Sequence, residues 1–442
     1  MPGDISEKLK TVRKFGFFTF GTTLAGFFIR LIKSVLFTRI LGPTNRGIFG
    51  LLITLPQLVV SFGNLGLGLG NVYLVANKRY ELKKIFGNTL VITFLLGTVL
   101  TFAGYFIFSQ NWILKGNSET VQHYLPLILM AIPLVLLFEF STDLIVAIQD
   151  IRFVNILTLA FSSFPIIFFL VVWLWTQNPL QSAVYAWFIG ACFVCSWAVL
   201  RILRNTLFSI GFSKRYLWEA FSYGKRGFIN IFANQLVLRV DFLFVSSMLG
   251  AKSLGYYAVS VSLAEILLSF PNAFNLPFLP VRLGMDKEKG SGDFTAVVIR
   301  HIFFVMVILC LLAAAAGKIL IWILFGRRFL PAYPPLLWLL PGILALSVYN
   351  FLRSDFYSRN MPGFVSWVAV TALLSNIIFN LLLIPMCGIA GAALSSSISY
   401  GISTMLLLIK HKRMTGTPYQ DLLIVKTSDL TTLWKKFALS RK

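Results

Sequence analysis

The sequence predicts an all-α polytopic membrane protein, with about 12 transmembrane helices in two pseudo-symmetric six-helix bundles around a central cavity. Three observations lead there: an apolar composition, a succession of span-length apolar stretches, and an internal repeat. Of 442 residues, 57% are hydrophobic and 12% charged, about half the charge of an ordinary soluble domain, and the mean hydropathy is +0.81. A soluble chain of this length would divide into about three domains; here 43 Phe spread along the whole sequence favour one membrane domain. The same composition excludes disorder, collagen and coiled coil.

A span needs about 20 apolar residues. Twelve stretches qualify, near 15–37, 47–75, 85–108, 124–147, 153–175, 180–200, 227–249, 254–281, 301–325, 333–352, 363–384 and 387–409. An even number puts both termini on one side. Of the 39 Lys and Arg, only Arg39, Arg46, Lys115, Lys252, Arg327 and Arg328 fall in loops on the other side. By the positive-inside rule the termini are cytoplasmic and the chain sits in the cell (inner, cytoplasmic) membrane. The net charge of +23 is then mainly a topology signal and does not indicate nucleic acid. Lys8, Lys10, Arg13 and Lys14 precede an apolar stretch too long for a cleavable signal, so span one is expected to remain. All four cysteines fall inside spans, and Cys192 and Cys195, though C-x-x-C, have no nearby ligand to complete a metal set and read as small packing residues. No metal and no cofactor are expected.

An offset of 208 residues lays the second half on the first. Leu41, Gly42, Gly47, Leu55, Ser61, Phe62 and Asn64 meet Leu249, Gly250, Gly255, Leu263, Ser269, Phe270 and Asn272, and Gly16, Pro126 and Pro133 meet Gly224, Pro334 and Pro341. Six spans per half give both halves the same orientation, a parallel repeat whose rocking exposes a central cleft to each side in turn. The expected division is an N-terminal bundle (1–208), a C-terminal bundle (209–410) and a basic cytoplasmic tail (411–442). Proline removes a backbone hydrogen bond and bends a membrane helix. Pro133 and Pro341 in spans four and ten are therefore expected hinges, as are Gly66 and Gly68 within the Gly63–Gly70 run of span two and Pro271, with Pro277 and Pro280, in span eight. That glycine run follows no strand and lies inside a span, so it is no nucleotide loop.

An ionisable residue at mid-bilayer costs about 2.5–3.5 kcal/mol and so faces a partner or a wet cavity. At about 1.5 Å per residue, Arg239 and Asp241 lie about 20 Å beyond Arg226, and Arg30 at similar depth beyond Lys14; Glu265 is near the middle of span eight. The offset places Lys33 on Asp241 and Leu31 on Arg239, so spans one and seven carry cations with one acid between them. Arg30, Lys33 and Arg239 are the candidates for a cationic substrate-binding cavity. Asp241, Glu265 and the pair Glu139 and Asp143, four apart in span four, are candidates for coupling or charge pairing. The competing reading is a buried ion pair that only fixes helix packing. Lys33 and Lys318 lie nearer the far interface and either snorkel or serve as cavity cations. Asp355 reads as a solvated residue at the end of span ten. The three His lie near span ends, and no catalytic constellation is visible.

The segment Thr38-Arg39-Ile40-Leu41-Gly42-Pro43-Thr44-Asn45-Arg46-Gly47-Ile48-Phe49, with Phe62-Gly63-Asn64-Leu65-Gly66-Leu67-Gly68, resembles the first two spans of the oligosaccharide (polysaccharide-unit, O-antigen-type) flippases. Arg239-Val240-Asp241 and Leu249-Gly250-Ala251-Lys252-Ser253-Leu254-Gly255-Tyr256-Tyr257 resemble the start of their second half. The superfamily includes multidrug and toxin extrusion transporters and the lipid II flippase. The resemblance, over residues 6–410, implies a non-enzymatic carrier that moves a polyisoprenyl-pyrophosphate-linked oligosaccharide to the outer leaflet by alternating access, for surface polysaccharide synthesis. It implies membrane lipids and polysaccharide polymerase machinery as partners, and Arg30 and Arg239 meeting pyrophosphate or acidic sugars. Arginine's planar fork of donors suits phosphate, and a glycan cannot cross hydrocarbon without polar partners. Tyr73, Trp187 and Tyr256 either stack on sugars or serve packing and interfacial belts.

Departures from relatives weigh the alternatives. The lipid II flippases resemble a fourteen-span design, against twelve spans here. Drug extruders bind a coupling ion at an acid in the N-terminal half, whereas span one has cations and no carboxylate; Glu139 and Asp143 keep a cation-coupled multidrug extruder open. A membrane polymerase or ligase acting on the same lipid is the third reading, without a long loop to carry its chemistry. Ser6–Phe15 and Ser213–Phe221 are basic, mildly amphipathic lead-ins expected on the inner leaflet. From Ser428 the tail reads either as another interfacial helix or as disordered.

Overall fold

The computed structural model describes residues 3–110, 118–205, 211–283 and 291–424, all helix and connection with no strand among them. The tail from Ser428 lies outside the described residues. The helices are α1 Gly3–Gly63, α2 Leu67–Ala76, α3 Leu82–Phe108, α4 Ser118–Leu129, α5 Ile132–Ala147, α6 Ile151–Thr176 and α7 Pro179–Asn205. There follow α8 Lys214–Val237, α9 Val240–Leu283, α10 Ser291–Phe325, a 3-10 turn Arg327–Ala332, α11 Tyr333–Ser358, α12 Pro362–Thr415 and α13 Tyr419–Leu423.

At 61 residues, α1 would be about 90 Å long if straight, three times the hydrocarbon thickness. It folds back instead. Gly42 (φ 69°) breaks α1, Gly250 (φ 82°) breaks α9 and Gly388 (φ 58°) breaks α12, each in a left-handed conformation that glycine adopts without steric cost. Gly42 and Gly250 are equivalent under the offset of 208. Seven segments among the described residues are long and apolar enough to cross a bilayer, or nine when two bent pairs each count as one. The three that contain a glycine turn cross twice, which brings the crossings to twelve in two lobes.

The bent pairs coincide with part of the expected hinge set. Span two breaks by 54° between the second half of α1 and α2, at Leu65 (φ 48°) and Gly66 (φ 77°); Gly68 follows in the first turn of α2. Span four bends by 44° between α4 and α5, immediately before Pro133. The second half departs from this pattern. Pro341 lies within unbroken α11, and α9 continues from Gly250 through Pro271. At Pro341 the reason is visible: Ser397 Oγ, from α12, accepts from the Gly342 amide at 3.1 Å and donates to the Trp338 carbonyl. A borrowed hydroxyl thus closes the gap in the α11 ladder.

The lobes meet through spans two and eight on the face away from the termini. A Cβ added to Gly47 would lie 1.8 Å from the Ala251 carbonyl oxygen, and one on Gly255 would lie 1.9 Å from that of Pro43. These two contacts are images of one another under the repeat. Toward the termini α2 packs on α8, with Gly66 against Gly224 and Gly70 against Ala220, again backbone to backbone. Trp175, Phe94, Phe102, Phe106, Leu311 and Met386 stand exposed on the outside. An exterior this apolar is the surface of a multi-pass membrane protein.

Asp355 corrects the expectation of a solvated end to span ten: it is fully buried. Thr295 Oγ1 donates to it at 3.2 Å, Arg359 Nε at 2.7 Å, and His411 Nε2 lies 3.7 Å away. The end of α11 is covered by α10 and α12, so the carboxylate sits at a three-helix junction. Nearby, Arg300 Nη1 donates to the Asp421 carbonyl oxygen at 3.0 Å and fastens α13 to α10.

Candidate functional site

A cavity of about 250 Å³ lies between the lobes, walled by spans one, two, seven and eight. Arg30, Lys33, Arg46 and Arg239 line it, and Glu265 is the carboxylate among its lining residues. Span seven supplies Arg239 through a local irregularity. Between α8 and α9 the amides of Arg239 and Phe242 bond the carbonyls of Leu236 and Arg239, three residues back, at 3.0 and 3.1 Å. This tighter turn aims Arg239 at Glu265, with Nη1–Oε1 at 2.8 Å. Span eight supplies Glu265 and, one turn on, Ser269, whose Oγ accepts from Arg30 Nη2 at 3.4 Å.

Arg46 corrects its placement in a loop on the far side. Because Gly42 turns the chain with no intervening loop, span two begins at once and Arg46 falls in its first turn, facing the cavity. Its Nε donates to Thr38 Oγ1 at 3.2 Å and its Nη2 to Ser262 Oγ at 3.3 Å. Arg39, just before the turn, points elsewhere: Nε donates to the Leu324 carbonyl at 2.7 Å and Nη2 to that of Ile323. It caps the end of α10.

The structure separates the remaining candidates. Asp241 was expected between the cations of spans one and seven, but it is only 2% exposed and points into the second lobe. Tyr257 Oη donates to it, as does Ser396 Oγ at 3.3 Å, while the Phe242 amide donates to its other oxygen at 2.9 Å. The carboxylate inside the cavity is instead Glu265. Glu139 and Asp143 lie in the first lobe beside the break in span two, outside the cavity lining. Asn64 Nδ2 donates to Glu139 Oε2 at 3.1 Å, and a Cβ on Gly68 would lie 2.0 Å from Asp143 Oδ2, so the Asp143 carboxylate packs directly on the Gly68 backbone. Lys318 is exposed near the end of α10. Tyr73 stacks on Tyr223 with centroids 3.9 Å apart, Tyr256 meets Phe329 edge-on and Trp187 is buried; none of the three lines the cavity.

Sequence reasoning thus reaches Arg30, Lys33, Arg239 and Glu265 and misses Arg46, with Ser262, Thr54 and Gln57 beside it in the wall. Four cations against one carboxylate leave excess positive charge in a space walled by apolar helices. Charge interactions there are much stronger than in water, and the guanidiniums present paired donors suited to phosphate or carboxylate oxygens.

Among known proteins, the chain is 22% identical over 232 residues to the probable low-salt glycan biosynthesis flippase Agl15 of Haloferax volcanii, covering 51% of this chain and 48% of that protein. It is 25% identical over 196 residues to the uncharacterized membrane protein MJ1068 of Methanocaldococcus jannaschii, covering 43% of this chain and 38% of that one. The chain therefore spans half the length or less of these curated relatives. In fold it is similar to the lipid II flippase MurJ in an inward closed conformation, with a TM-score of 0.76 at 17% identity over 92% of this chain and 88% of the other. A multidrug resistance MATE family transporter of the MOP superfamily in an inward-facing conformation gives a TM-score of 0.70 at 12% identity, over 89% and 98%. A family profile described as polysaccharide biosynthesis protein matches residues 12–281, well over half the chain. The chain belongs to the polysaccharide biosynthesis protein family.

Proposed function

We propose that this protein is a flippase that carries a polyisoprenyl-pyrophosphate-linked oligosaccharide from the cytoplasmic to the outer leaflet for surface polysaccharide synthesis. The observation that carries the reading is the cavity between the lobes, where Arg30, Lys33, Arg46 and Arg239 surround Glu265. In the structure Glu265 occupies Arg239. An entering pyrophosphate offers more charge and more acceptor oxygens than one carboxylate. It displaces Glu265 and is gripped from both lobes at once, by Arg30, Lys33 and Arg46 from the first and Arg239 from the second. A ligand held by both lobes biases their relative orientation through its differential affinity for the two states. The lobes, which we take as 1–208 and 209–410, then rock about the glycine-packed seams while the lipid tail stays in the bilayer.

In this reading the termini face the cytoplasm of the cell membrane, and the protein performs no covalent chemistry. Membrane lipids surround it, and polysaccharide polymerase machinery consumes its product. The coupling step falls to carboxylates outside the cationic cavity: Asp241, or the Glu139 and Asp143 pair. Each of these can exchange a proton or a cation while the anion moves.

The test compares polyisoprenyl-linked oligosaccharides by mass spectrometry in cells with and without the protein, with a glycan-modifying enzyme added outside. Loss of the protein is expected to leave a complete repeat unit that the enzyme cannot reach. Arg239→Ala and Arg30→Ala are expected to reproduce that loss with the protein still folded in the membrane, whereas Lys318→Ala retains transport. Normal transport by Arg239→Ala removes the site assignment. Unchanged lipid-linked pools with altered resistance to cationic drugs would instead support extrusion through Glu139 and Asp143.

A further inference from the structure

A second cavity, of about 220 Å³, lies wholly within the second lobe, closer to the face that holds the termini. Its wall includes Leu238 and Leu268, the chain neighbours of Arg239 and of Ser269 in the first cavity, so successive residues of the same two helices line both spaces. Asn272 lies about 10 Å along span eight from Glu265 at 1.5 Å per residue, toward the termini. The lining is mixed and carries one charge: Asn234, Asn272, Asn350, Tyr349 and Arg353 share it with two further hydroxyls and with aliphatic side chains, mostly leucine.

We propose that this second cavity is a saccharide subsite, taking the sugars nearest the pyrophosphate; the inference rests on the flippase reading and deepens it. Sugar hydroxyls donate and accept, and side-chain amides are the groups that match both roles. Asn350 Nδ2 donates to Asn272 Oδ1 at 3.1 Å and Tyr349 Oη to Asn234 Oδ1 at 3.1 Å, which fixes the amides while leaving further donors and acceptors for a ligand. Arg353 lies 5.7 Å from the centroid of the Tyr349 ring and, among the described residues, makes no hydrogen bond or ion pair, so its planar fork of donors is available to hydroxyl or carboxylate oxygens.

The repeat separates this role from helix packing. Asn64 and Asn272 are equivalent, and each bonds the fourth span of its own lobe: Asn64 reaches Glu139 in the first, Asn272 is reached by Asn350 in the second. Both lobes thus tie the same spans together. Only the second does so with neutral amides beside an arginine, and the first uses carboxylates. Packing alone needs no such difference, whereas a ligand with many neutral hydroxyls on one side of a phosphate does.

The experiment measures binding to purified full-length protein in lipid nanodiscs. The probes are the lipid-linked oligosaccharide fraction extracted from the source cells and the same fraction after mild-acid release of its glycan. Wild-type protein is expected to bind the intact fraction at least tenfold more tightly. Asn272→Ala and Arg353→Gln, both on partly or fully exposed side chains, are expected to abolish that difference while leaving affinity for the deglycosylated fraction unchanged. Equal wild-type affinity for the two fractions overturns the subsite, as does equal loss on both by Asn272→Ala and Arg353→Gln. Arg239→Ala is read in parallel and should weaken both fractions alike; if it weakens neither, the phosphate reading fails while the comparison between fractions still decides the subsite.

Discussion

Replacing Arg46 with alanine removes one of four cations from a cavity with one lining carboxylate, and the hydroxyls of Thr38 and Ser262 that hold it remain as neutral partners. Loss of a charge-assisted bidentate donor should reduce cargo exposure on the outer leaflet roughly tenfold or more, with protein level and monodispersity unchanged. Arg46→Lys, which keeps charge but not the fork, should fall between. Undiminished flipping by Arg46→Ala would show that the second span contributes no binding charge. The contrast with Arg239 also marks what depth alone can reveal. Arg30, Lys33 and Arg239 stand out as cations far from either end of an apolar stretch, and Glu265 as an acid inside one. Arg46 hides because it falls between two stretches and reads as a loop residue until the turn at Gly42 is known to need no loop. Asp355 hides for the opposite reason: its cover comes from α10 and α12, far away in sequence.

The elements owe their ends to single backbone conformations more than to composition. Twelve apolar stretches and the equivalence of Gly42 with Gly250 are readable directly, since only glycine adopts those dihedrals cheaply. The proline kinks are only half readable, because a proline frees backbone groups but cannot say what will satisfy them. In span four the chain bends beside Pro133; in span ten Ser397 fills the gap beside Pro341 and the helix continues. Ser397→Ala should therefore leave the Gly342 amide and the Trp338 carbonyl unsatisfied, a cost of about 1–3 kcal/mol, seen as a lowered thermal unfolding midpoint in detergent. Ser395→Ala is the internal control. Its hydroxyl only bonds the Gly391 carbonyl of its own helix, at 2.8 Å, so its midpoint should barely move. Equal midpoints for the two variants would mean that α11 does not depend on the borrowed hydroxyl.

At the scale of the whole molecule, the two seams make different demands on alternating access. The seam formed by Gly47, Ala251, Gly255 and Pro43 is symmetric under the repeat and joins spans two and eight. The seam of α2 on α8 joins span two to span seven near the other face, where Tyr73 stacks on Tyr223 with the rings only 13° from parallel. If the lobes rock, one seam opens as the other holds, and the stacked tyrosines must part to admit cargo from the face that carries the termini. Tyr73→Cys with Tyr223→Cys, in a background lacking Cys192, Cys195, Cys310 and Cys387, places two thiols across that seam. A short, reducible bifunctional thiol reagent should then abolish cargo exposure, and reduction should restore it, while either single cysteine stays active throughout. Full transport after quantitative cross-linking would mean that α2 and α8 move as one body. The opening would then have to lie between spans one and eight, where Arg30 meets Ser269.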